Sequence, residues 1–343
     1  MKNLVLIAFL FISGSCLQAQ GTDSAALYFE KGQAEQKARR FREAEKNYTN
    51  ASRLAPANNQ YKLSLADVLL EQRRYSEAIT QYEAVGQAEP NNAVVAEKLA
   101  QLLQNMHQWE KSVQYAQQLE KLDPSKDMSF IIANNYYKME RYADAIKYCE
   151  LAYKRDPKRA EVPYIAGRCF MEMHNYKKAA GCYDQALALD STNAKWMYEA
   201  ALVWYSVPDD KKSLFWMKKA GEKGYPQTND YLENLATAYL NTGNYTEGIG
   251  MLKKVLERRP QDPELLFSIA DACYKSKQYQ DAIDYWDQVL GIDKKNANAL
   301  YMIGMSYQKK GDKEKGMQLC DKAIEMDPSL KSLKQERKMP GGL

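Results

Sequence analysis

The chain has 343 residues, of which 45% are hydrophobic and 27% charged, with a formal net charge of +4 from 48 basic and 44 acidic side chains. The charges are spread along the chain, which excludes the basic patch or stripe that marks a nucleic-acid binder. Gly (17) and Pro (11) are sparse while Tyr (25) and Met (14) are plentiful, a balance that favours helix over sheet.

The chain opens on an address. Lys2 precedes an apolar run from Leu4 to Ile12; Ser13, Gly14 and Ser15 follow, then Leu17-Gln18-Ala19. That is the order of a secretory signal, and the run is far shorter than the ~20 residues of a membrane span. Cleavage after Ala19 gives a segment 1–19 as signal and leaves Gln20 first; the rival is Cys16 as a lipidated first residue. The expectation is an exported bacterial protein in the periplasm, or an outer-membrane lipoprotein if Cys16 carries lipid. A membrane partner is expected only in the second case.

From there on the sequence repeats. Pro residues stand at 56, 90, 124, 157, 260 and 328, at gaps near 34 or its multiples, and a fixed period of this size announces a solenoid. Tyr75-x-x-Ala78-Ile79-x-x-Tyr82 returns as Tyr142-x-x-Ala145-Ile146-x-x-Cys149, Tyr176-x-x-Ala179-Ala180-x-x-Tyr183 and Tyr279-x-x-Ala282-Ile283-x-x-Trp286. Spacings of three and four put these residues on one helix face, where a small residue lets two helix backbones approach. A preceding helix is read from Leu266, Ile269, Ala270 and Cys273 at i, i+3, i+4, i+7. The turns between helices are short and polar; Gly243 and Gly311 suit a left-handed stop there.

This pattern resembles the tetratricopeptide repeat family over about residues 25–328, through Gly32, Ala44, Ala51 and Pro56 in the first unit and Gly304, Gly316, Ala323 and Pro328 in the last. The resemblance implies an all-α, right-handed superhelical solenoid of about nine helix pairs. The array occupies 20–328, with units starting near 25, 59, 93, 126, 160, 194, 229, 263 and 297; residues 329–343 form a capping segment and basic tail with Lys331, Lys334, Arg337 and Lys338. Two units depart from the pattern. The third has Ser112 and Ala116 where Ala and an aromatic are usual. The sixth carries Pro208, Asp209-Asp210 and Gly224-Tyr225-Pro226, so a hinge is expected near 206–228.

The resemblance also implies a concave face built from the first helix of each pair. Its inward positions carry mixed residues early (Phe29, Gln33, Asp67, Glu97, Gln101) and aromatics later. The expected partner-binding groove is Phe130, Asn134, Tyr137, Tyr164, Arg168, Met171, Tyr198, Tyr205, Phe267, Tyr274 and Tyr301. Tyr, Met and Arg are what binding hot spots favour. The carboxylate clamp of some family members is incomplete here, since Asn134 pairs with Phe130 and Arg168 with Tyr164.

Chemistry is not assembled. The two His, His107 and His174, fall one per turn and two units apart, no nucleotide, hydrolase or zinc motif occurs, and Asp156 and Asp209-Asp210 are turn residues that suit helix caps. Cys149, Cys169, Cys182, Cys273 and Cys320 sit inside helical patterns and are expected as core filler. The sequence therefore predicts no enzyme, cofactor, metal, nucleic acid or small-molecule substrate. It predicts a protein-interaction module with a peptide or helix in its groove; the alternative is an envelope scaffold using convex or lateral surfaces.

Overall fold

The computed structural model of the chain describes residues 24–331. The expected signal over 1–19 with Cys16, and the basic Lys334, Arg337 and Lys338, lie outside the described residues.

Among the described residues the fold is helical throughout, with no strand. They divide into two compact units, one ending at Met173 and the other beginning at His174. The first unit holds α1 (24–37), α2 (Phe41–Leu54), α3 (Asn59–Glu71), α4 (Tyr75–Ala88), α5 (Ala93–Asn105), α6 (Trp109–Leu122), α7 (Ser129–Lys138), α8 (Tyr142–Arg155) and α9 (Glu161–Glu172). The second holds α10 (Tyr176–Leu189), α11 (Ala194–Ser206), α12 (Asp210–Glu222), α13 (Asn229–Asn241), α14 (Tyr245–Leu256), α15 (Pro263–Lys275), α16 (Tyr279–Ile292), α17 (Ala297–Lys310) and α18 (Lys313–Met326), closed by a 3-10 turn, Pro328–Leu330. Within each unit every helix packs on the next, so the architecture is an array of antiparallel helix pairs. No described helix is long and apolar enough to cross a membrane.

Local chemistry explains the boundaries. Asn58, Asn92, Asn193 and Asn296 precede first helices and accept a hydrogen bond from a backbone N–H of the opening turn. Asp262 does the same for α15, with Pro263 in the first turn where its missing N–H costs nothing. Eight of the nine first helices then stop on a left-handed residue: Arg39, Arg73, His107, Glu140, His174, Gly243, Lys277 and Gly311 all have positive φ. That is the conformation expected for the two glycines, and it also gives His107 and His174 their places in the turns. The fourth pair opens at Ser129, later than the expected start near 126, because Asp127 accepts from the Ser129 N–H and Glu120 from the Met128 N–H, holding 126–128 as a loop.

Pair packing rests on small residues. Ala44, Ala78, Ala145, Ala179 and Ala282 are all fully buried. In the last pair Gly304 and Gly316 face each other so closely that a Cβ on Gly304 would lie 2.7 Å from the Gly316 carbonyl oxygen. Ser112 fills the same place in the third pair and uses its hydroxyl: it donates to the Ala100 carbonyl at 2.6 Å and accepts from the buried Asn135 amide at 2.8 Å. Cys149, Cys169, Cys273 and Cys320 are buried and Cys182 half-buried. The division between the units falls at residues 173–174, outside the segment 206–228 where a hinge is expected. There α12 packs on both α11 and α13, and the Tyr231 hydroxyl donates to the Met217 carbonyl at 3.1 Å.

Candidate interaction surface

In the first unit the first helices of neighbouring pairs touch directly, α5 with α7 and α7 with α9. Phe130, Asn134 and Tyr137 stand at i, i+4 and i+7 on α7, and Tyr164, Arg168 and Met171 repeat that spacing on α9. All six are half-buried. The Arg168 guanidinium lies 4.9 Å from the Tyr137 ring centroid and 5.9 Å from that of Tyr164. Arg159, in the loop before α9, lies 3.7 Å over Phe130. Each such contact contributes about 0.5–1 kcal/mol at an exposed site, enough to fix side-chain geometry but not to seal it from a ligand. Burial pushes the Tyr137 hydroxyl up, with Arg168 acting against it, so the ring stays neutral across the physiological range. Beneath these rings Cys149 and Ile132 belong to the hydrophobic core against which Phe130, Tyr137 and Tyr164 pack.

The remaining expected groove residues belong to the second unit. Tyr198 of α11 is stacked on Tyr225, centroids 4.3 Å apart, and its hydroxyl accepts from the Asn234 amide at 2.8 Å. The unusual Gly224-Tyr225-Pro226 segment thus covers Tyr198. Tyr205 is 50% exposed. Phe267 and Tyr274 of α15 flank Trp286 of α16, at 6.0 and 5.9 Å between centroids. Tyr301 is a correction: at 2% exposure it is core, packed with Cys320, Ile324 and Leu330, and offers no groove surface.

Sequence spacing missed the partners that come from loops and second helices. Arg159 lies in a loop, and nothing in its local pattern points to Phe130. Trp204 and Trp216 both donate their indole N–H to Asp184, at 3.0 and 3.1 Å, a convergence of three helices that no single-helix pattern displays. Among the described residues no group of His, Cys, Asp and Glu is arranged to hold a metal.

Helix pairs of this geometry, stacked in sequence with small residues at their contacts, define an α-helical repeat protein. The sequence profile described as tetratricopeptide repeat matches residues 29–93, 97–160 and 233–297, and related profiles of the same description match 136–201 and 297–330. The chain belongs to the tetratricopeptide repeat family. It is 23% identical over 236 residues to anaphase-promoting complex subunit 3 of Schizosaccharomyces pombe, covering 68% of this chain and 35% of that protein. It is 22% identical over 283 residues to the Hsp70-Hsp90 organizing protein of Triticum aestivum, covering 71% of this chain and 48% of that protein. The chain thus spans less than half the length of either. Among solved structures, the C-terminal part of a TPR repeat-containing protein from Cytophaga hutchinsonii shares the fold, with a TM-score of 0.53 at 18% identity over 72% of this chain and 99% of that one.

Proposed function

We propose that this chain is a non-catalytic protein-interaction module of the bacterial cell envelope, whose first-helix face binds a peptide or helix of a partner. The observation that carries the reading is the Arg168 guanidinium held between Tyr137 and Tyr164 on two adjoining first helices, half exposed. Rigid aromatics and an arginine give much contact area for little ordering entropy. The fold family and its likeness to a subunit of the anaphase-promoting complex support a binding role, and the 1–19 segment supports export. No cofactor and no small-molecule substrate enter this reading. A second reading, a scaffold using second-helix surfaces, is favoured by Phe215 and Met317, each 51% exposed on α12 and α18.

The test is capture of partners from an envelope extract with residues 20–343, repeated with Tyr164→Ala plus Arg168→Ala. Loss of a captured partner in the double variant supports the groove. A partner retained by that variant and released by Phe215→Asp sinks the groove reading in favour of the scaffold. Fractionation of the source cell checks the location: recovery in the cytoplasm would overturn the envelope assignment.

A further inference from the structure

The first helices of the second unit carry a different chemistry. A cavity of about 320 Å³ lies between α13 and α15, with Glu233, Asp262, Glu264, Asp271, Arg259 and Lys275 among its lining. A second, of about 470 Å³, lies along the other side of α15, among Glu264, Phe267, Ser268, Asp293, Asn296 and Asn298. Glu264 and Ser268 line both, so the two cavities adjoin as one stretch of surface along α15. Five carboxylates against two cations leave it formally −3, in a chain of formal charge +4. Arg259 pairs with Glu233 and Asp262, and Lys275 with Asp271. Glu264 and Asp293 have no cationic partner among the described residues, and both face the second cavity.

A second observation points to a ligand at the same place. Trp286 is fully buried under Phe267 and Tyr274, and its indole N–H has no acceptor. At the equivalent place in other pairs the polar aromatics are satisfied: Tyr48 donates to Gln36, Tyr82 to Asp67 and Tyr183 to Glu199. Phe267 is half-buried on the cavity wall, and its ring centroid lies 6.0 Å from that of Trp286.

We infer that the α15 groove binds an extended lysine- or arginine-bearing segment of a partner protein. Its cationic side chains meet Glu264 and Asp293, and one backbone carbonyl accepts from the Trp286 indole. Backbone amide and carbonyl groups find Asn296 and Asn298 on the facing wall. The inference deepens the proposed interaction role by naming the partner's chemistry, and it locates this contact apart from the α7/α9 face.

The test is fluorescence anisotropy of the chain with labelled twelve-residue peptides that alternate Ala with Lys, Gln or Glu. The lysine peptide is expected to bind about tenfold more tightly than the glutamine peptide, the gain of two partly exposed ion pairs, and to weaken as salt rises. Glu264→Gln plus Asp293→Asn removes that advantage, and Trp286→Phe, which keeps the ring and loses the donor, weakens both peptides. Tyr164→Ala plus Arg168→Ala leaves lysine-peptide binding unchanged. Equal binding of the lysine and glutamine peptides overturns the inference. So does binding that is lost in the Tyr164/Arg168 variant and kept in the Glu264/Asp293 variant, although the general interaction role would then stand. If deleting residues 332–343 raises lysine-peptide affinity tenfold, the occupant is this chain's own basic segment and the partner assignment falls.

Discussion

Gly304→Ala and Gly181→Ala are the same substitution in two helices and should move stability in opposite directions. A Cβ on Gly304 would stand 2.7 Å from the Cys320 Sγ, 2.7 Å from the Gly316 carbonyl oxygen and 2.9 Å from the Cys320 amide nitrogen. Two of those three atoms are α18 backbone, so no rotamer change relieves the clash and the helices must separate. Overpacking of this kind costs about 1–3 kcal/mol, and the backbone obstruction puts it near the top of that range. Alanine returns about 1 kcal/mol of helix propensity, leaving a net loss of about 2 kcal/mol. A Cβ on Gly181 of α10 meets nothing within 4 Å, so only the propensity gain of about 0.5–1 kcal/mol remains. In a repeat array, loss at the last pair is felt mainly by its neighbour. Amide exchange read by mass spectrometry should therefore show α17 and α18 opening about thirtyfold more often in Gly304→Ala, with the first unit unchanged. Urea midpoints should rise slightly for Gly181→Ala. If Gly304→Ala leaves α17 and α18 as protected as before, or both variants shift the same way, close backbone approach is not what selects glycine at 304.

Ser112→Ala strands the Asn135 amide, whose Oδ1 already lacks a partner, and should cost about 1–3 kcal/mol in urea unfolding; Ser112→Ala with Asn135→Leu should recover most of it, since an apolar pair leaves no donor unpaired. Lys277 is an exposed non-glycine residue at φ 66°, so Lys277→Gly should raise the thermal midpoint by removing a left-handed penalty of about 1–2 kcal/mol against a smaller entropic loss. Burial, with the Asp281 charge adding to it, pushes the Cys273 thiol up from 9.0 to about 11. The unfolded chain ionises this thiol first, so stability should fall as pH rises from about 9 to 11, and the fall should be shallower in Cys273→Ala. Thiol titration of the native chain should accordingly label Cys182, half-buried, before the four buried cysteines.

The helix pairs were legible because each one announces itself locally. Asn or Asp caps, a small residue at the crossing and a polar turn recur at a fixed period, and each acts within a few residues of itself. The inner face was only partly legible, because the spacing that puts a side chain on the inward stripe of its helix does not say what lies in front of it. Tyr301 and Tyr205 both belong to inward-facing positions; one is packed against Cys320 and Leu330 and the other stands half in solvent. Tyr198 meets the spacing rule too, yet Tyr225 arrives from a loop twenty-seven residues later and covers it. Arg159 over Phe130 and the two indoles on Asp184 are likewise products of tertiary proximity that periodicity cannot encode.

One buried position on the second helices accounts for where the two candidate surfaces fall. Between adjacent first helices, Tyr48, Tyr82 and Tyr183 each reach up from a second helix and hold a polar first-helix side chain by a hydrogen bond. In the case of Tyr82 the tie spans the pairs, since Asp67 of α3 also accepts from Lys98 of α5. A first-helix face held in this way has its polar groups already spent. Cys149 takes the same position beneath α7 and α9, where the face above it carries Phe130, Tyr137, Tyr164 and Arg168. Leu252 takes it at the α13–α15 cavity, which it helps to line, and Trp286 takes it beneath α15 with a donor that finds no acceptor. Where the position carries a tyrosine, as at Tyr48, Tyr82 and Tyr183, the second helix thus ties up a polar side chain of the first-helix face.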